Sequence, residues 1–137
     1  PLSNPLNRSE ATAADLKAWT DGRAIIGTGS PSPGGVTQVN NVYIFPGIGL
    51  GALVSGAARI TDEMFIEAAN ALASLKPEGH GDALFPPSDQ LGDVANIVAL
   101  AVCRVAERDL GAKPPSDGWE NALALRRWIP AYRGITL

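Results

Sequence analysis

The stretch that decides the fold is VNNVYIFPGIGLGA, residues 39–52. Its β-prone run, 42–45, predicts a short strand that ends at Pro46. The glycines at 47, 49 and 51 follow that strand in the G-x-G-x-x-A pattern of a dinucleotide-binding turn. Two interpretations are open. Either the glycines hold a pyrophosphate, or they allow close packing of a helix while Asn40 and Asn41 carry the function.

The spacing of the acidic residues favours the packing interpretation. A dinucleotide-binding unit needs a second strand and an acidic residue about 20 positions further on, which binds the ribose. Here Asp62 and Glu63 come about 15 positions after Gly47 and open a separate predicted helix. We therefore expect Gly47, Gly49 and Gly51 to let a helix start pass close to another backbone.

Composition excludes several classes of protein. The chain has 137 residues, 45% of them hydrophobic and 18% charged, as in one globular domain with a moderate core. Its formal net charge is −3, and its longest basic run is Arg126–Arg127, so no electrostatic feature favours nucleic acid. The longest apolar run, 97–103, is too short to cross a membrane.

One cysteine and one histidine limit the possible chemistry. A lone cysteine forms no internal disulfide and suits a reducing compartment, so we expect a cytoplasmic protein. Cys103 lies among Val, Ala and Leu, which predicts a buried, inert thiol. Cys103 and His80 together are too few for a zinc site, and His80 is interpreted as a solvated loop residue.

Helical periodicity and capping residues predict four or five helices, at about 13–19, 50–58, 61–75, 88–110 and 118–128. Thr12 and Asp15 form the capping pattern of the first helix, and Gly22 is a plausible stop after it. An apolar stripe at helical spacing marks the third helix: Met64, Ile66, Ala68, Ala69, Leu72 and Leu75.

The predicted strands do not complete a sheet. Residues 23–27 predict a short buried strand of the kind found in parallel sheets, and 28–38 predict a loop. One or two strands beside four or five helices leave Ile25 and Ile26 without neighbouring strands. We therefore predict that the chain forms a mostly helical portion of a larger α/β fold.

A set of ordered segments is more specific. They are PLSNP at 1–5, EAT at 10–12, WTDGRA at 19–24, GSP at 29–31, NNVYIFPG at 40–47 and ITDEM at 60–64. In that order and spacing the chain resembles the C-terminal third of a malic enzyme. The resemblance covers nearly the whole chain and is densest over 1–64. The segment LFPP at 84–87 and the Trp/Tyr-bearing tail also fit.

The resemblance implies an activity and a fold. Malic enzymes oxidatively decarboxylate L-malate to pyruvate and CO₂, using NAD or NADP and a divalent metal, Mg or Mn. Residues 1–137 would form the C-terminal part of the Rossmann-like NAD(P)-binding domain, in a homo-oligomer. The dinucleotide motif, the Tyr acid, the Lys base and the acidic metal ligands would lie upstream of Pro1. No catalytic or metal-binding role is therefore expected in this chain, which alone would be inactive.

Three asparagines match substrate-site positions of the family. Asn4, in Leu-Ser-Asn-Pro, matches the asparagine between malate and the nicotinamide end of the cofactor, so it is expected to contact both. Asn40 and Asn41 match a pair that contributes a malate contact, and Asn41 is favoured over Asn40. A neutral amide offers donors and an acceptor without adding charge beside a metal. From residue type alone, the same asparagines would start a turn or cap a loop.

One departure from the family and two alternative functions stay open. The family usually carries a longer segment between Gly29–Pro31 and Asn40, where this chain has only Ser32 to Val39. Either the loop is trimmed or residues are missing from the sequence. A malolactic enzyme, which converts malate to lactate, would share most of these motifs. A freestanding, non-catalytic interaction domain derived from the same fold is the third possibility.

Overall fold

The core is organised around one 20-residue helix, Leu91–Leu110. The computed structural model describes residues 1–3, 5–32, 36–77 and 83–127. In those ranges the elements are, in chain order, α1 (Ala13–Trp19), β1 (Gly27–Thr28), β2 (Thr37–Gln38), α2 (Phe45–Ser55), α3 (Asp62–Ala73), α4 (Leu91–Leu110) and α5 (Gly118–Arg126), with 3₁₀ turns at Leu6–Arg8, Asn41–Tyr43 and Ser88–Gln90.

Helix α4 buries two faces against three other helices. Valines spaced three or four residues apart face α2 and α3, at positions 94, 98, 102 and 105. On its other face Ala99 and Cys103 meet Trp119 and Leu123 of α5. An apolar stripe wide enough to serve both sides is what places a helix at the centre of a core. The helix predicted at about 88–110 is therefore confirmed, with its first three residues in a 3₁₀ turn.

Two glycines let α2 approach α4 closely. A methyl group added to Gly47 would lie 2.6 Å from Cβ of Val98, and one added to Gly51 would lie 2.6 Å from the carbonyl oxygen of Ala99. Both distances are too short for carbon, so the packing role is confirmed at these two positions. The prediction of a packing role is wrong at Gly49, where an added methyl group would meet nothing within 4 Å. Gly49 is half-buried and lines an open groove beside Leu53 of the same helix.

Local capping explains where the helices begin and end. Thr12 and Asp15 form a complete capping box at the start of α1, as predicted. Thr61 accepts a hydrogen bond from the Met64 backbone at the start of α3. Helices α2 and α4 end at Gly56 and Gly111, both in the left-handed conformation.

The apolar stripe of α3 is narrower than the sequence predicted. Met64, Ala68 and Leu72 are buried, but Ile66 and Ala69 are exposed. The three buried positions follow a strict four-residue spacing, which keeps them on the single side that touches α4. Ile66 and Ala69 are rotated away from that side.

The predicted strand at 23–27 lies further along the chain. The backbone pairs only from Gly27, in a two-stranded parallel sheet that joins Gly27 to Thr37 and Thr28 to Gln38. The second strand falls in the segment predicted as a loop. Ile26 is buried, but Ile25 is 78% exposed. Parallel pairing joins residues that are distant in sequence, so local composition does not locate its ends.

The predicted strand at 42–45 is wrong. Asn41–Tyr43 form a 3₁₀ turn, and α2 begins at Phe45 rather than at about 50. Proline fits the first turn of a helix because the backbone N–H it lacks has no partner there. Pro46 therefore starts the helix instead of ending a strand. At the other end of the chain, α5 stops at Arg126, and Trp128 lies outside the described residues.

The architecture is a partial α/β fold. Parallel strands normally lie within larger sheets that helices cover on both faces, whereas β1 and β2 form a pair of two-residue strands beside five α-helices in the described ranges. This is the mostly helical portion of a Rossmann-like domain that the sequence predicted. Among the described residues, no helix combines the length and apolarity needed to span a membrane.

Candidate functional site

The Asn40–Asn41 pair lies just beyond the carboxyl end of β2. Parallel strands end at the same edge of a sheet, and ligands of open α/β folds bind at that edge. The end of β1 is adjacent, because the Val39 backbone donates a hydrogen bond to the Thr28 carbonyl at 2.7 Å. The predicted asparagines are therefore placed where this class of fold forms its binding sites.

The start of the chain lies against the same edge. The Gly29 backbone donates to the Pro1 carbonyl at 3.0 Å, and the Gln38 side chain donates to the Gly29 carbonyl at 3.1 Å. A methyl group on Gly29 would come within 2.9 Å of the Leu2 Cα, so only glycine fits. Residues 1–3 and the end of β2 thus meet at one place. Asn4 itself lies outside the described residues, and its predicted role stays a prediction.

The two asparagines of the pair have different surroundings. The Asn40 side-chain oxygen accepts a hydrogen bond from the Val42 backbone at 3.0 Å and caps the 3₁₀ turn. Asn41 is exposed, and its side chain has no hydrogen-bond partner among the described residues. The Asn40 oxygen is thus used by the fold, whereas the Asn41 amide is free for a ligand. This difference favours Asn41 over Asn40, as the sequence analysis does.

Two further side chains, which the sequence analysis did not single out, hold this turn. Thr37 Oγ1 accepts a hydrogen bond from the Leu84 backbone at 2.7 Å. The Tyr43 hydroxyl donates to the Pro86 carbonyl at 2.8 Å. Burial raises the pKa of Tyr43, so its hydroxyl stays protonated and able to donate. No local sequence signal identifies these contacts, because each partner is a backbone group more than 40 residues away.

Cys103 is confirmed as a buried thiol. Its sulfur lies 3.4 Å from the Gly51 carbonyl oxygen, inside the α2–α4 contact. Burial, with a smaller effect of the Glu120 carboxylate, raises the pKa of the thiol to about 11. A nucleophilic cysteine needs a lowered pKa and access to substrate, and Cys103 has neither. His80 lies outside the described residues.

The described part of the chain does not fit a metal ion or a pyrophosphate. In those ranges no cluster of three or more His, Cys, Asp or Glu side chains could hold a cation. Several carboxylates are instead paired with arginines, as in Glu63–Arg108 and Asp93–Arg127. Gly47 and Gly51 face α4 rather than a cleft.

Comparison with known proteins identifies close relatives over nearly the whole chain. The chain is 42% identical to an NAD-dependent malic enzyme of Pseudomonas syringae pv. syringae, over 97% of this chain and 26% of the relative. It is 43% identical to one of Erwinia tasmaniensis over the same shares of each chain. It therefore spans about a quarter of the length of the curated relatives it matches.

The alignments also bear on the short segment before Asn40. They extend over 144 and 145 positions, although this chain has 137 residues, so each opens gaps in this chain. A shortened segment at 32–39 would produce such gaps.

A family model described as "Malic enzyme, NAD binding domain" matches residues 1–107. The match includes β1, β2, the asparagine pair and most of α4, and it covers well over half of the chain. With the partial α/β fold and the relatives above, it establishes that the chain belongs to the malic enzyme family, with residues 1–107 matching that family's NAD binding domain.

Proposed function

We propose that the chain is part of an enzyme that oxidatively decarboxylates L-malate to pyruvate and CO₂ with reduction of NAD. The observation that carries the proposal is the 42% identity, over 97% of the chain, to a protein named NAD-dependent malic enzyme. The names of the relatives favour NAD over NADP. A homo-oligomer in the cytoplasm is part of the same proposal.

In this proposal the chain contributes substrate binding rather than proton transfer. Asn41 lies exposed at the carboxyl edge of two parallel strands, and within the described ranges its amide has no hydrogen-bond partner. It would donate a hydrogen bond to a charged malate oxygen, a contact worth about 1.5–3 kcal/mol. As a neutral group it would orient malate without changing the charge of the site. Asn4 would contact malate and the nicotinamide end of the cofactor.

Catalytic groups and cofactor ligands would come from the part of a complete protein that lies outside these 137 residues. In this proposal NAD would supply the hydride acceptor, and a divalent metal would supply positive charge beside the substrate. Cys103 is buried with a raised pKa and the Tyr43 hydroxyl is bonded to the Pro86 carbonyl, so neither side chain is placed for proton transfer to a substrate. In this proposal the described residues position the substrate, and residues outside this chain carry out proton transfer.

The proposal is tested on the complete protein that contains this chain. The purified protein is incubated with L-malate, Mg²⁺ or Mn²⁺, and NAD or NADP in parallel, and reduced cofactor, pyruvate and lactate are quantified. Equal amounts of pyruvate and reduced NAD support the proposal. Lactate without net cofactor reduction identifies a malolactic enzyme instead. A native protein of only about this chain's mass, 14.2 kDa, with no turnover would identify an interaction domain.

A further inference from the structure

A short segment that is distant in sequence forms hydrogen bonds to residues on both sides of the Asn40–Asn41 pair. We call Leu84, Phe85 and Pro86 the strap. Its first residue donates a backbone hydrogen bond to Thr37, three positions before Asn40. Its last residue accepts a hydrogen bond from Tyr43, two positions after Asn41. The pair is therefore bracketed by two contacts to one segment.

The strap is anchored in the main core rather than lying on the surface. Tyr43 is only 7% exposed, and Pro86 is buried. The Tyr43 and Phe85 rings lie 5.1 Å apart with a 39° tilt. Phe85 also packs against the cluster that contains Met64 and Val94. Because interiors are close-packed, a strap held in this way has little freedom to shift.

Asn41 depends on this support because, among the residues that the structure describes, no hydrogen bond orients its side chain. Its direction is set by the backbone of the 3₁₀ turn, where the Asn41 carbonyl accepts from Ile44 at 3.0 Å and Asn40 caps the start. A displacement of about 1 Å at a substrate-positioning group costs up to about a hundredfold in rate. Contacts from another segment of the chain are therefore needed to keep the turn in position.

We propose that the strap is a positioning device: through Thr37 and Tyr43 it holds the Asn40–Asn41 turn so that Asn41 faces malate. The inference rests on the proposed function. Thr37 and Tyr43 are positioning residues, since neither is expected to touch substrate. A merely structural role would change the stability of the protein without a selective effect on malate.

The complete enzyme offers a matched pair of substitutions. Thr37→Val removes the hydroxyl that accepts from Leu84, and Thr61→Val removes the hydroxyl that accepts from Met64 at the start of α3. Both threonines are half-buried and each accepts one backbone hydrogen bond, so the two changes are alike in chemistry. We expect both variants to lose thermal stability, and Thr61→Val at least as much, because it also removes a helix cap. Only Thr37→Val should raise the KM for malate, by about three- to tenfold, with the KM for NAD unchanged.

Two further variants keep the test independent of folding defects. Tyr43→Phe retains the ring packed on Phe85 and removes only the donor to Pro86, and it should raise the KM for malate to a similar extent. Thr37→Ser retains a hydroxyl and should restore the wild-type value. If Thr61→Val raises the KM for malate as much as Thr37→Val does, the effect is general destabilisation and the inference is overturned.

A double-mutant cycle separates this inference from the proposed function. If the strap acts through Asn41, Tyr43→Phe should have no further effect on kcat/KM in an Asn41→Ala background. If Asn41→Ala impairs malate turnover and Tyr43→Phe adds its own loss independently, the strap inference fails while the substrate role of Asn41 stands. If Asn41→Ala leaves malate kinetics unchanged, the proposed role of Asn41 fails and the strap inference falls with it.

Discussion

The Cys103 sulfur on α4 lies 3.4 Å from the Gly51 carbonyl oxygen on α2, inside the contact between these two helices. A side chain this close to a backbone carbonyl requires that the facing helix carry no side chain of its own there. Gly51 meets that requirement, and Gly47 does the same one turn earlier. Two of the three glycines that resemble a cofactor motif in the sequence, Gly47 and Gly51, thus serve the contact between these two helices.

The first prediction compares two glycines of the same helix. Gly51→Ala places a methyl 2.6 Å from the Ala99 carbonyl and 2.7 Å from Cβ of Val102, and should lower the free energy of unfolding by about 1–3 kcal/mol. Gly49→Ala meets open space and should raise it by about 0.5–1 kcal/mol, because alanine favours the helix. Thermal unfolding of the two variants measures the difference.

Cofactor binding provides the control for this comparison. Neither substitution should alter the affinity for NAD per folded molecule in the complete protein. A selective loss of NAD binding in Gly49→Ala, with unchanged stability, would contradict the packing interpretation and restore a dinucleotide site at 47–52.

The second prediction concerns the pH dependence of Cys103. In the unfolded chain its thiol has a pKa near 8.5, whereas burial raises the folded pKa to about 11. The folded state therefore holds the proton more tightly, and this contribution to stability is complete below about pH 8 and is lost as pH rises toward 11. Peptide-resolved alkylation should show almost no reaction of folded Cys103 near pH 7.

The Cys103→Ala variant tests the predicted direction of this change in stability with pH. Between about pH 8 and pH 10 the free energy of unfolding should fall more steeply in wild type than in this variant, which has no thiol to titrate. Rapid alkylation of the folded protein at neutral pH would contradict the assignment of Cys103 as an inert core residue.

The starts of α1 and α3 could be predicted from the sequence because their causes are local. Thr12 and Asp15 satisfy each other three residues apart, and Thr61 bonds a backbone group three residues on. Strand positions were harder to predict because Gly27 pairs with Thr37, a partner that the sequence of either segment does not reveal. At 42–45 the strand propensity of Val42 and Tyr43 was overridden by the Asn40 cap and by the helix that Pro46 opens.

The candidate site was predictable only in part. Asn40 and Asn41 were found through the resemblance to a family, and their residue types alone would equally suit a capped turn. The structure shows that Asn40 does cap a turn. Thr37 and Tyr43 were missed because their partners, Leu84 and Pro86, contribute backbone atoms that any sequence supplies.

The third prediction concerns the isolated 137-residue chain. Large apolar side chains remain exposed on α2 and α5, among them Leu53 at 83% and Leu125 at 79%. We expect the chain to be marginally stable or to self-associate when expressed alone. Sedimentation velocity over a range of concentrations measures this association, which Leu53→Gln with Leu125→Gln should reduce. A monomer that melts cooperatively at low concentration would count against it.

The central claim is that Asn41 binds malate while Asn40 shapes the turn, and one identical substitution at both positions tests it most directly. Serine still caps a turn, so Asn40→Ser in the complete enzyme should leave kcat/KM for malate within about twofold of wild type. Asn41→Ser removes the amide from a charged substrate group, and kcat/KM for malate should fall about tenfold to a hundredfold. Steady-state kinetics with malate and NAD varied separately gives both values. A malate defect in Asn40→Ser with a silent Asn41→Ser would contradict the assignment.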